Sequence, residues 1–172
     1  NYLDMDGLVC ISADHYGGAV QATEYLCKLG HCKIGLLSGR FSPQVSEARI
    51  EGFVKTLAKY DIPVDDRFIA DIEPALEDGE EIMTRMLREV DRPTAFFCTN
   101  DTIAAGAMKA VTRAGLRVPE DIAIIGFDDS YISRVVEPEL TTVRIDAAKM
   151  GCLAMQTLFD LIAGMPVEKA HI

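Results

Sequence analysis

What most limits the folds open to this chain is a rhythm. Short runs rich in β-branched and aromatic residues alternate with amphipathic stretches from one end to the other. LVCIS at 8–12 reads as a first strand. Asp14 then stands as an N-cap before a helix over about 17–29, with Ala19, Ala22, Thr23 and Leu26 on one face and Gly30 as its stop. KIGLLS at 33–38 is a second strand, and a helix over about 43–60 follows it. Pro43 suits the first turn of that helix, and Phe53, Leu57 and Tyr60 share its buried side. RFIA at 67–70 predicts a short third strand, and the next helix, about 76–90, carries the stripe Ile82, Met83, Met86, Leu87 and Val90.

TAFFCT at 94–99 is almost wholly apolar, as a central parallel strand covered on both faces must be. Asn100 opens a helix that reaches Ala114 and stops at Gly115. IAIIGF at 122–127 is a second central strand, 141–145 a last one, and 147–163 a last helix ended by Gly164. Strands and helices in this order make βαβ units. Right-handed crossovers turn those units into an α/β fold: a doubly wound parallel sheet flanked by helices on both faces.

Composition narrows the function. Of 172 residues, 49% are hydrophobic, enough to cover both faces of a sheet without metal or disulfide staples. The formal net charge of −10 repels phosphate backbones, so these residues alone make a poor DNA binder. The acid-rich stretch 61–91 reads as a solvated face. The five cysteines (Cys10, Cys27, Cys32, Cys98, Cys152) form no C-x-x-C pair, which favours a reducing, cytoplasmic setting. No signal peptide opens the chain and no apolar run is long enough to span a bilayer, so no membrane partner is expected.

In an open α/β sheet a ligand sits beyond the carboxyl ends of the strands. Here those ends are SGRF at 38–41, TND at 99–101 and FDD at 127–129. Asn100 offers a donor and an acceptor there, and Asp128 two acceptor oxygens, both suited to hydroxyl groups. Arg49 lies about two turns into the helix after the second strand, among apolar neighbours. A guanidinium close to a core needs a carboxylate or a ligand, and Asp128 is the economical partner. Together they could hold vicinal hydroxyls, or they could be a buried ion pair and nothing more.

The motifs of catalysis and cofactor binding are missing. There is no G-x-G-x-x-G, no P-loop and no G-x-S-x-G elbow. His15, His31 and His171 lack a metal-ligand spacing. A phosphatase-like set of Asp14, Asp101 and Asp129 lacks its strand-end D-x-D. The sole D-x-D, Asp4 and Asp6, precedes a full strand. The expectation is no catalytic residue, no metal and no cofactor.

Five segments resemble one family in order and spacing. They are LGHCKIGLLSG at 29–39, RIEGF at 49–53, PTAFFCTND at 93–101 continuing to AAGAM at 104–108, GLRVPEDIAIIGFD at 115–128, and PELTTV at 138–143. Each is similar to a segment of the lactose/galactose-repressor family of transcriptional regulators, and the likeness runs from about Leu8 to Pro166. The resemblance implies the two-lobed periplasmic-binding-protein-like type I fold. It divides the chain into 1–13, the end of the N-terminal lobe with a first crossover strand; 14–140, the C-terminal lobe; and 141–172, a crossover strand and a helix returning to the N-terminal lobe. It also implies a DNA-reading headpiece before Asn1, contact with operator DNA only through that headpiece, and a homodimer through the C-terminal lobe.

By the same resemblance Arg49, Asn100 and Asp128 are effector-binding, and Phe41, Val45 and Glu47 lie on a loop and first turn that vary with the effector. Val45 stands where sugar- and purine-binding members often carry a hydroxyl. Glu47 would place an anion near Arg49 and disfavour a strongly acidic effector. The leading expectation is a sugar-sensing, dimerising lobe of a bacterial repressor, with an exported sugar-binding protein of a transporter as the alternative.

Overall fold

The computed structural model describes residues 9–167 and the backbone of 170–171. Leu8 and the Asp4–Asp6 pair of the sequence reading therefore lie outside the described residues. In chain order the elements are β1 (Ile11–Ser12), α1 (His15–Lys28), β2 (Ile34–Gly39), α2 (Pro43–Lys59), β3 (Ile69–Ile72), α3 (Leu76–Met86), β4 (Ala95–Cys98), α4 (Asp101–Arg113), β5 (Ala123–Asp128), β6 (Thr141–Arg144), α5 (Ala147–Ile162) and β7 (Ala170–His171).

Five strands form one sheet in the order β3-β2-β4-β5-β6, every pair parallel. The sheet is the doubly wound one that the alternation predicts. Its strands read as continuous apolar runs because both faces are covered, and successive residues feed opposite cores. Leu36, Phe97, Ile125 and Phe127 join Ala19, Leu26, Phe53 and Leu57 beneath α1 and α2. Leu37, Phe96, Cys98 and Ile124 join Ile82, Met83, Ile103 and Met108 beneath α3 and α4. The methionines of the α3 stripe are thus core filler, as their spacing suggests.

Three details differ from the sequence reading. The third strand falls two residues later, because residues 66–68 form a 3-10 turn whose Phe68 plugs the core. Helix α3 ends at Met86, and Val90, expected on its buried stripe, is fully exposed. Its spacing fits the helix by coincidence, since it falls in the turn that returns the chain to β4. The last strand, expected at a crossover, hydrogen-bonds to β5 as an edge of the main sheet, with Gly126 opposite Thr142 and Asp128 opposite Arg144.

Beyond β6 the character changes. β1 and β7 pair in a separate two-stranded ribbon, and α5 has no buried residue. Met155, Leu158, Phe159, Leu161 and Ile162 stand open on it. Among the described residues nothing covers this apolar face, a bareness unusual for an amphipathic helix.

The tightest packing is between α3 and α4. A Cβ added to Gly106 of α4 would strike the Leu76 carbonyl and come within 2.8 Å of the Glu80 amide, both on α3. Backbone cannot yield as a side-chain tip can. Gly106→Ala should therefore destabilise the lobe by about 1–3 kcal/mol, seen as a lower urea midpoint with an unchanged slope.

Candidate functional site

The carboxyl ends of the strands gather four of the six residues singled out from the sequence. Helix α2 starts just beyond β2, and by its second turn it brings Arg49 back over the sheet edge. Arg49 is only 3% exposed. Its guanidinium sits over the Phe127 ring, with Cζ 3.9 Å from the ring centroid, and the Phe41 ring lies 5.0 Å from Cζ. Nη1 donates to the Thr99 carbonyl at the end of β4. Nη2 donates to Oδ1 of Asp128 at 3.3 Å and lies 3.2 Å from His15 Nδ1. An arginine can only donate, so in this contact Nδ1 is the acceptor and a neutral His15 ring carries its proton on Nε2. The buried Nε has no hydrogen-bond partner among the described residues.

Asp128 ends β5 in the left-handed region, with φ of 111°, and Asp129 follows at 52°. These are costly conformations for residues with side chains. They turn the Asp128 carboxylate back toward α2. Its side chain is 36% accessible against 4% for Arg49, so the carboxylate is what this site presents to solvent and the guanidinium is its buried anchor. Burial pulls the Arg49 guanidinium below its ordinary value, with Asp128 opposing. Burial pushes the Asp128 carboxyl up to about 6, with Arg49 opposing and Asp101 adding repulsion. Both members lean toward their neutral forms, so desolvation outweighs their attraction. A pair of that kind is a poor stabilising device.

Asn100 is 8% exposed and caps α4, its Oδ1 accepting from the Ile103 amide at 2.8 Å. The acceptor is thereby committed to the helix. The amide NH₂, two donors, has no protein partner among the described residues. Phe41 is half-buried against Arg49, its backbone held by Ser46, whose hydroxyl accepts from the Phe41 amide at 3.2 Å. Val45 lies slightly apart. With Ser12, His15, Tyr16 and Ala48 it lines a hollow of about 340 Å³ between the starts of α1 and α2. Glu47 is not brought in. It is exposed and makes no ion pair with Arg49 among the described residues, because its place on α2 turns it toward solvent.

Three further residues complete the site: Thr99 and Phe127, already expected at the strand ends, and His15, which was not. His15 and Phe127 touch the guanidinium directly, and Thr99 does so through its carbonyl. His15 had been weighed only as a metal ligand, although its place behind the N-cap Asp14 already put it on the ligand edge. Among the described residues no group of His, Cys, Asp and Glu is arranged to hold a metal ion, and no helix is long and apolar enough to cross a membrane.

A profile of the periplasmic binding protein-like domain matches residues 23–172. The chain belongs to that family. Among members of the periplasmic binding protein-like family, it is 38% identical over 165 residues to the HTH-type transcriptional repressor PurR of Pasteurella multocida, covering 94% of this chain and 49% of that protein. A regulatory protein of the LacI family from Chloroflexus aggregans superposes with a TM-score of 0.91 at 32% identity, over 99% of this chain and 61% of that one. A transcriptional regulator CelR–cellobiose complex superposes at 0.85 and 27% identity, over 96% of this chain and 50% of that one. The resemblance read from the five motifs therefore holds, and so does the parallel α/β, periplasmic-binding-protein-like fold it implied. The chain spans about half the length of the curated relatives it matches.

Asp128 also sets a pH dependence. Its folded value near 6 lies above that of an unfolded carboxyl, so between those two values the native state holds a proton that the unfolded chain has lost. Stability contributed by this group therefore rises as pH falls from about 7 toward 4. Denaturation across that range should carry a component of this sign in wild type, and Asp128→Asn should remove that component. An unchanged profile in the variant would place the titration elsewhere.

Proposed function

We propose that this chain is the effector-sensing lobe of a LacI-family DNA-binding transcription regulator, that it binds a neutral polyhydroxylated ligand such as a sugar, and that it catalyses nothing. The observation that carries the reading is the Arg49–Asp128 pair. A buried guanidinium anchors a half-open carboxylate at the ligand edge of the sheet, and burial makes that arrangement costly to keep for stability alone. Asp128 would accept from hydroxyls, the free Asn100 amide would donate, and Phe41 would lie against an apolar ring face. Val45 and its hollow would set how large a substituent fits. The cellobiose held by one relative supports a sugar.

Residues 14–140 would form the C-terminal lobe, with β6 as its edge and exit, while β1, α5 and β7 would belong to the N-terminal lobe. The remainder of that lobe would cover the apolar side of α5. The segment 130–138, where Tyr131 and Val135 stand exposed, would supply the homodimer surface, while α4 is largely buried against α3. Operator DNA would be read by a headpiece outside these residues, in the cytoplasm. The repressor names of the relatives favour this over a transporter's exported binding protein.

A thermal-shift and calorimetry panel on the full-length regulator tests the reading, with cellobiose, D-galactose, D-galacturonate and hypoxanthine as probes. A neutral sugar should raise the melting temperature. Asp128→Ala should weaken that binding by about 10- to 100-fold, the worth of one or two charge-assisted hydrogen bonds, with the circular dichroism spectrum unchanged. Undiminished affinity in Asp128→Ala and Arg49→Ala would move the site elsewhere. Binding of hypoxanthine alone would keep the site and discard the sugar.

A further inference from the structure

Asp101 is 1% exposed, and no step of the effector reading uses it. It is an acidic residue in the first turn of α4, where the helix dipole favours an anion. A carboxylate so deeply buried is tolerated only when its lone pairs are filled. What fills them is the loop that carries Asp128. Oδ2 accepts the Ser130 amide at 2.6 Å. Oδ1 accepts the Thr142 hydroxyl at 2.5 Å, and that hydroxyl in turn accepts the Asp129 amide at 3.4 Å. Both amides that follow Asp128 are thus tied, one directly and one through β6, to a single carboxylate. Room for it exists because residue 126 has no side chain: a Cβ on Gly126 would collide with Asp101 Oδ1.

We infer that Asp101 is a positioning residue of the effector site, whose buried carboxylate holds the Asp128–Asp129 turn left-handed and so keeps the Asp128 carboxylate aimed at the Arg49 fork. The role rests on the effector reading for its purpose, but its geometry is independent of any ligand. Two successive left-handed residues with side chains do not persist unless their surroundings enforce them. Here the strand would otherwise run on past Asp128, carrying its side chain away from α2. The charges that act on Asp128 are Arg49 from α2 and Asp101 from α4; Arg144 is its backbone partner in β6, and His15 of α1 contacts the guanidinium. Asp101 therefore acts on Asp128 twice, by fixing its backbone and by repelling its charge.

The test follows side-chain carboxyl carbons by NMR titration in the intact protein, with crystal structures of the variants. In wild type Asp128 should titrate near 6. Asp101→Asn keeps the size and removes the charge. Asp128 should then leave the left-handed region and part from Arg49, and its titration midpoint should move away from the wild-type value. Thr142→Val leaves the charge and removes only the bridge to the Asp129 amide. It should relax the same turn, and it carries the test if Asp101→Asn does not fold. A variant that is less stable yet keeps both the 3.3 Å Arg49–Asp128 contact and the wild-type titration would reduce Asp101 to a packing role and overturn the inference. No ligand enters these readouts. A sugar panel without a binder, alongside a relaxed turn, would thus sink the effector reading and spare this one.

Discussion

The guanidinium of Arg49 is the constraint around which the ligand edge is arranged. It lies on Phe127 of β5, donates to the end of β4 through Thr99, and reaches Asp128 and His15, so one side chain from α2 touches two strands and another helix. A cation at 3% exposure is costly to leave unpaired, even though the Asp128 carboxylate that faces it is partly open to solvent. The neighbouring elements are accordingly fixed in position by a charge that the fold would gain little from keeping. Energetics of that sort point to a task other than stability.

A second carboxylate completes the electrostatics. Asp101 and Asp128 both bear on Arg49, one from inside the fold and one from its rim. The inner anion is fully bonded and the outer one is not, which divides their work. The inner one secures the loop, and the outer one is left with acceptor capacity and access to solvent. Burial keeps the outer carboxyl close to the pH at which it takes a proton.

Much of this was legible in the residues themselves. The apolar runs at 94–99 and 122–127 could only be central parallel strands, and the positive-φ glycines Gly30, Gly115 and Gly164 stand just past the helices they were expected to end. Arg49 and Asp128 were paired by asking what a near-core cation requires. The misses share a cause: they concern direction in space, which periodicity does not encode. Glu47 is close to Arg49 in sequence and was expected to be close in effect, but a helix turns residues two apart toward different sides. Val90 kept the helical spacing after the helix had ended. His15 and Asp101 were visible as residue types, but their partners come from other strands and helices, and only the assembled sheet brings them together.

The bare helix α5 has a mechanical consequence. Only Ile145 and Asp146 separate it from β6, and β6 supplies the Thr142 hydroxyl that bridges Asp101 to the turn after Asp128. The open methionines, leucines and Phe159 of α5 therefore stand two residues of linker away from the strand that helps hold the Asp128 turn, too short a connection to absorb much slack.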